Sequence, residues 1–519
     1  MGYRFCINHR WWDYFKINVM SITFESLILD TVVSSIQQNS ARNAFFINKQ
    51  YYSYRVFGQR ISAIRQVLNT KYELYNMVGL VANDDIDTYA SIFALWLEGK
   101  TYVPLHPNQP LDRCMEIVNQ VGIKLILDSS EKTRYDNLMV KKTSELDFTN
   151  EFLNDRINYP SETLAYILFT SGSTGNPKGV QITRGNVAAF IDSFWKTGIA
   201  ITQDDRCLQC FDLTFDVSVQ TYLTALIKGA CCYTVPHGQM KYIYVSWLID
   251  EYKITISAMA PSMIRHMNSF ISEIDGSSMK ICILTAEAVP LSVLKQWSSC
   301  VNNAIFFDFY GPTEATIYCS YYQVPHLDEC KTINGILSIG KPLANVQSII
   351  VNKSLELVNV GEEGELCVAG EQLTIGYWND IVRNSEVFFE KEYNGNKYRF
   401  YHTGDWCYQD KDGDIMYIGR IDNQIKIQGY RIELGEIDFH ARAFLNGVNS
   451  VSIPYEQDGI TQIVLFIESS PFNTLSLLSY LKTKLPAYML PAKVQFMTRF
   501  PLNANEKVDK KQLKNSVLQ

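Results

Sequence analysis

Between residues 166 and 180 the chain reads Tyr-Ile-Leu-Phe-Thr-Ser-Gly-Ser-Thr-Gly-Asn-Pro-Lys-Gly-Val, an apolar strand running into hydroxyls and glycines with a lysine behind them. Gly172, Gly175 and Gly179 leave the backbone free to curl with its N–H groups inward, since glycine takes positive φ without steric cost. Thr170, Ser171, Ser173 and Thr174 add hydroxyl donors, and Lys178 adds a point charge. A concave loop this rich in donors suits a polyphosphate. It is not the P-loop of ordinary nucleotide hydrolases, because Gly-x-x-x-x-Gly-Lys-Ser/Thr cannot be laid over it. The plain alternative is a solvated Ser/Gly linker. The buried strand before the loop and the Lys-Gly that closes it speak against that.

Other stretches carry chemistry of the same kind. Phe309-Tyr-Gly-Pro-Thr-Glu-Ala-Thr316 offers an aromatic face beside a turn and a carboxylate. Tyr310 can stack on a base, and Glu314 can hold a hard cation such as Mg²⁺. Tyr401-His-Thr-Gly-Asp405 sets a carboxylate after a glycine turn, suited to a ribose diol, and residues 425–436 interleave charges. Each alone could be a turn with a solvated acid. Their order along the chain, behind a phosphate loop, favours function.

The elements that position these groups follow from hydrophobic periodicity. Residues 56–67 predict an amphipathic helix, 77–82 a buried strand, 91–98 a helix ending near Gly99, and 102–105 another strand. This alternation implies a parallel sheet covered on both faces. A polar stretch over 129–161 precedes the loop. A second α/β section has strands at 256–259 and 281–284, and residues 348–368, with Gly361 and Gly364, read as an antiparallel or barrel-like subdomain. After residue 419 a small domain of βαβ flavour is expected, with strands at 448–453, 463–467 and 493–497 and a helix over 475–485.

Length and composition bound the possibilities. At 519 residues the chain is too long for a single core, and about two to four domains are expected. A net charge of -7 argues against a broad basic face for nucleic acid. Cys207 and Cys210 form a C-x-x-C with Cys231, Cys232 and His237 beyond, but adjacent cysteines give poor tetrahedral spacing, so buried thiols are the better reading than zinc. No apolar run reaches membrane-spanning length, and residues 1–19 lack the apolar core and cleavage site of a signal peptide. Met20 reads as a more natural start, which makes 1–19 a candidate mis-called extension. A cytoplasmic protein, monomeric or weakly dimeric, is expected.

Taken together, the motifs resemble the adenylate-forming superfamily of acyl-CoA synthetases, nonribosomal peptide adenylation enzymes and luciferases. The matching pieces are residues 97–105, 170–179, 215–218, 310–314, 364–366 with 376–378, 403–405, Gly419 with Arg420 and Asp422, and 505–509, in the family's order. The resemblance implies an α/β protein: a large N-terminal domain of two α/β sheet subdomains plus a smaller β subdomain (20–419), and a small α+β lid domain (420–519) with its hinge near Asp422. It implies two half-reactions: a carboxylate attacks the α-phosphate of ATP, giving an acyl-adenylate and pyrophosphate, and a thiol then takes the acyl group as AMP leaves. In the matching positions Thr170, Ser171, Gly172, Ser173, Thr174 and Lys178 would hold the β- and γ-phosphates, Glu314 the Mg²⁺, and Tyr310, Gly311 and Thr313 the adenine side. Asp405 would take the ribose hydroxyls, Arg420 would sit near ribose and phosphate, and Lys507 would bridge the substrate carboxylate and α-phosphate. That assignment makes Lys178 a loop anchor. A cation on a mobile lid stabilises the developing charge only when the lid is closed. Glu506 stands where the family usually has glycine.

The same resemblance points to an amino acid. Asp216 matches the aspartate that pairs with the substrate's α-amino group, and a buried carboxylate without a partner is costly, so the site itself favours a cationic ligand. The other matching pocket positions are Val217, Gln220, Ala258, Leu284, Ala286, Phe309, Ile317 and Tyr318, with Lys507 on the carboxylate. Apart from Asp216 and Lys507 this lining is uncharged, so a small or medium apolar side chain is expected. The set Asp216, Val217 and Gln220 resembles proline-activating domains, while Phe309 and Tyr318 depart from them. L-Proline is the first choice, with pipecolate or a branched aliphatic amino acid next. No Gly-Gly-x-Ser attachment motif occurs, so a separate phosphopantetheinylated carrier protein is the expected acceptor. An acyl- or aryl-CoA ligase and a D-alanine–carrier protein ligase are the alternatives.

Overall fold

The computed structural model describes residues 23–149, 152, 153, 155, 157–172, 175–422, 424–457, 460–503 and 508–517. Lys507, Ser173 and Thr174 lie outside them. Residues 43–377 build two large sheets. The seven-stranded sheet runs Gly376–Tyr377, Lys178–Thr183, Leu164–Thr170, Thr101–Leu105, Met77–Val81, Leu125–Asp128, Met139–Lys142. Its four strands from 77 to 142 are parallel, and Thr101–Leu105 pairs in parallel with Leu164–Thr170. Buried on both faces, Thr101–Leu105 and Leu125–Asp128 read as nearly continuous apolar runs. The nine-stranded sheet has Arg206–Gln209, Ile256–Met259, Ile281–Thr285 and Ile305–Tyr310 side by side and parallel. Helices form where caps start them: Asp85 accepts the Thr88 N–H at 2.8 Å at the head of Ile86–Leu97, and Thr183 with Asn186 makes a capping box before Arg184–Trp195.

The third sheet is antiparallel, Val346–Val351 beside Gly364–Gly370 beside Asn396–Gln409, and pairs Asp405 with Arg420 of the strand Ile415–Arg420. From residue 425 onward two apolar clusters are made wholly of residues 425–517, around Ile432, Leu465 and Leu481 and around Val464, Phe466 and Phe500. The strands there are only partly βαβ. Ser450–Gln457 pairs antiparallel with Ile460–Glu468, and only Ile460–Glu468 and Lys493–Met497 are parallel, joined by the helix Leu475–Lys484. The expected amphipathic helices are longer than read, Tyr54–Lys71 and Ile86–Leu97, because Ser53 and Asp85 cap them upstream of the periodic stretch. Cys207, Cys210 and Cys232 are free and buried. Among the described residues no helix is long and apolar enough to cross a membrane.

Candidate active site

The strand Leu164–Thr170 turns back antiparallel as Lys178–Thr183, with Thr170 opposite Lys178. The turn is closed tightly enough that a Cβ on Gly172 would lie 1.9 Å from the Asn176 carbonyl oxygen, so only glycine fits. Three of its described donors, Ser171, the Gly172 N–H and Lys178, face lid residues. Ser171 Oγ donates to the Arg431 carbonyl at 2.9 Å and accepts the Glu433 N–H at 3.2 Å. The Gly172 N–H donates to Glu436 Oε2 at 3.2 Å, and Lys178 Nζ lies 3.4 Å from Glu433 Oε1. The loop is therefore an anion cradle whose anions in this arrangement are two carboxylates of the lid. Burial, and then the Arg431 charge, push the Lys178 ammonium below its ordinary range, and the ammonium lies 5.6 Å over the Tyr377 ring.

Glu314 lies next to the cradle in the turn Thr313–Ala315 and is fully buried. Arg431 Nη1 donates to its Oε2 at 2.6 Å and the Tyr377 hydroxyl to its Oε1 at 2.5 Å. Burial works to raise this carboxyl, but Arg431 and then Lys178 outweigh it and hold it down at about 2. A carboxylate kept ionised in a dry site fits a hard cation, and here the Arg431 guanidinium fills that role. Glu314 and the loop donors are thus the groups that would hold Mg²⁺ and phosphates, the metal supplying charge neutralisation when bound.

Tyr310, Gly311, Thr313, Asp405 and Arg420 line one cavity together with Thr170 and Ser171. The Tyr310 hydroxyl donates to Asp405, and Arg420 donates to Asp405 Oδ1 at 3.1 Å and to Asp422 Oδ1 at 2.8 Å. Gly311 has no room for a side chain, since a Cβ would lie 2.5 Å from the Ile317 carbonyl. The cradle members Gly172 and Lys178 border a second opening on the loop's other side rather than this cavity.

At the far end of the cavity Asp216 opens the helix Asp216–Ile227. Burial pushes its carboxyl up to about 6, opposed by a hydrogen bond from Thr313 and helped by the Glu314 charge. Asp216 Oδ2 has no hydrogen-bond partner among the described residues, nor have the neighbouring hydroxyls of Thr214 and Thr170. Val217, Ala286 and Ile317 line the cavity with Asp216, as does Thr285, which sequence reasoning missed. Gln220, Ala258, Leu284, Phe309 and Tyr318 do not. They are buried behind it: Phe309 packs on Tyr318 with centroids 4.8 Å apart, and the Tyr318 hydroxyl donates to Gln220 Oε1 at 3.4 Å. The remaining space is about 80 Å³. Arg431, Glu433 and Glu436 are legible in the sequence only as charge interleaving, because their partners lie more than a hundred residues away.

Comparison with known proteins bears on this geometry. Tyrocidine synthase 3 of Brevibacillus parabrevis is 32% identical over 447 residues, which are 84% of this chain and 7% of that protein. Tyrocidine synthase 1 of the same organism is 29% identical over 484 residues, 91% of this chain and 43% of that protein. The chain thus spans less than half the length of these curated relatives. Holo-PA1221, an NRPS protein containing adenylation and PCP domains, shares the fold with a TM-score of 0.83 at 23% identity, over 95% of this chain and 85% of that one. The Vibrio cholerae adenylation domain AlmE, solved in complex with glycyl-adenosine-5'-phosphate, gives 0.82 at 23% identity, over 94% and 97%. Residues 33–378, well over half of the sequence and including the anion cradle, Asp216 and Glu314, match the model for the AMP-binding enzyme, and the chain belongs to that family.

Proposed function

We propose that this chain activates an amino acid, with L-proline as first choice, as its aminoacyl-adenylate with release of pyrophosphate, and passes the aminoacyl group to the phosphopantetheine thiol of a separate carrier protein. The observation that carries the reading is Asp216. It is a buried carboxylate in the cavity wall, one oxygen lacks a partner among the described residues, and burial disfavours its charge. An ammonium brought in by the substrate completes the pair, which a fatty or aryl acid cannot do. The uncharged lining of Val217, Thr285, Ala286 and Ile317 supports an apolar side chain. PA1221 and the NpsA–ThdA fusion combine adenylation with PCP domains, which supports a carrier as acceptor.

Amino-acid-dependent pyrophosphate exchange tests this with a panel that sets proline, pipecolate, branched aliphatic amino acids and D-alanine against fatty and aryl acids. Exchange with proline is expected, and exchange with only the acids lacking an amino group sinks the role of Asp216. Lys507→Ala is expected to lose adenylate formation yet still convert a pre-made adenylate to thioester. Equal loss of both half-reactions would remove Lys507 from the adenylation step.

A further inference from the structure

Tyr430 stands directly after Gly429 in the lid hairpin Gln424–Ile427 and Tyr430–Glu433. Its ring stacks on Tyr488 at 3.9 Å with 7° between planes and meets Phe215 of the core edge-on at 4.9 Å. Its hydroxyl donates at 2.5 Å to Oδ2 of Asp212, a core residue far from it in sequence. The other oxygen of Asp212 accepts from Lys241 Nζ at 2.9 Å, and His106 Nε2 lies 3.9 Å from Oδ2. Burial works against the Asp212 charge, but Lys241, His106 and the Tyr430 hydroxyl outweigh it and hold the carboxyl well below the usual range. The phenol therefore donates to an ionised, dry acceptor, the strongest class of side-chain hydrogen bond. His106, Asp212 and His237 converge as a metal-ligand set would. Lys241 already supplies the cation, and His106 Nδ1 is taken by the Asn108 N–H at 3.0 Å, so no metal is assigned.

The contact fixes the turn beside it. Gly429 has φ of 80°, and a methyl there would touch Ala260, Ala286 and Phe211 at 3.5 to 3.6 Å. Ala286 lines the substrate cavity, Ala260 lines a second cavity of about 360 Å³, mostly apolar, and Phe211 and Gly429 line both. The hairpin thus sits where the two cavities meet. In the same arrangement Glu433 and Glu436 occupy the donors of the phosphate cradle, and Arg431 occupies Glu314. ATP phosphates and this lid position exclude one another.

We propose that the Tyr430–Asp212 hydrogen bond is a positioning contact for thioester formation alone, latching the lid turn between the substrate cavity and the cavity through which the thiol arrives. This rests on the two-step reading above. In that step the thiol sulfur bonds the acyl carbon and the acyl–oxygen bond to phosphate breaks. AMP leaves with that bond's electron pair, and the thiol proton passes to the AMP phosphate or water. Tyr430 and Asp212 touch none of these atoms.

Tyr430→Phe removes the hydroxyl and keeps the stack, and Asp212→Asn removes the acceptor's charge. Each variant is assayed for proline-dependent pyrophosphate exchange, for conversion of prolyl-adenylate to thioester with free pantetheine, and for amide hydrogen exchange over residues 424–433. Exchange of pyrophosphate within about twofold of wild type, a roughly tenfold slower thioester step and faster deuteration of the hairpin are expected. A thioester rate equal to wild type, or both half-reactions falling together in Tyr430→Phe, overturns the latch. If the wild type activates no amino acid, the two-step reading fails, and unchanged deuteration of the hairpin in both variants would then overturn the latch independently.

Discussion

Glu314 and Asp216 are two buried carboxylates close enough for the charge of one to be felt by the other, yet burial has opposite outcomes for them. Glu314 meets Arg431 at 2.6 Å and Tyr377 at 2.5 Å and is held down at about 2. Asp216 is pushed up to about 6 and keeps one oxygen without a partner among the described residues. At the loop end of the site Arg431, Glu433 and Glu436 pair with Glu314, Lys178 and the Gly172 N–H. The Asp216 end shows no such counterion among the described residues. A group with a removable protein partner suits a ligand that leaves between steps, whereas an unpartnered one suits a ligand that stays through both.

The largest expected effect tests the paired side. Glu314→Gln leaves the Arg431 guanidinium buried without its countercharge, and removing one partner of a buried pair costs about 3–5 kcal/mol. Hydrogen exchange over residues 424–433 should show the hairpin opening more easily by that amount. Protection equal to wild type would mean that Arg431 is not what holds the lid to the core.

Asp216→Asn tests the unpaired side. With the charge gone, the substrate ammonium is buried without a counterion, and the specificity constant for proline-dependent exchange should fall about 100-fold, near 3 kcal/mol. A fall confined to a few-fold would reduce Asp216 to a turn residue at the head of its helix.

Much of this contrast is legible in the amino-acid sequence, and what escapes it does so for a common reason. The cradle, Glu314, Asp405 and Asp216 announce themselves by local type and spacing, and the strands at 256–259 and 493–497 follow from short apolar runs. Pairings across the chain do not. Ser171 with Arg431 and Asp212 with Tyr430 join segments whose proximity depends on how the lid docks, which no local period encodes. The pocket lining departs from expectation for a related reason. Motif matching makes Phe309, Tyr318 and Gln220 part of the lining, but their mutual packing turns them into the wall behind it.

The two carboxylates also separate by pH. Asp216 is raised in the folded chain, from 3.8 to about 6, so its contribution to stability is fully present below 3.8 and is lost as pH rises through 6. Asp216→Asn without substrate should therefore be more stable than wild type at pH 7 to 8, by up to about 3 kcal/mol. That advantage should shrink between pH 6 and 4. Thermal melts across that range decide it. The amino-acid KM of the wild type should rise below pH 6, as protonation takes away the charge that the ammonium needs. A flat KM there would place the ammonium on another group.

The smallest effect examines the wall. Tyr318→Phe removes a long hydrogen bond, 3.4 Å, from Gln220 Oε1, while Gln220 Nε2 keeps Thr224 Oγ1 at 3.3 Å. The ring stays against Phe309, so the volume of the cavity is preserved and the cost should be under about 1 kcal/mol. Proline exchange should change less than about fivefold, and the ratio of proline to pipecolate should move no more than that, because Tyr318 stands outside the cavity lining. A collapse of proline exchange would show that the hydroxyl reaches the substrate, and that the wall opens when an amino acid enters. In that case the pairing of Tyr318 with Gln220 is one that a substrate displaces, as a cation would displace Arg431 from Glu314. The difference between the two ends would then be one of degree.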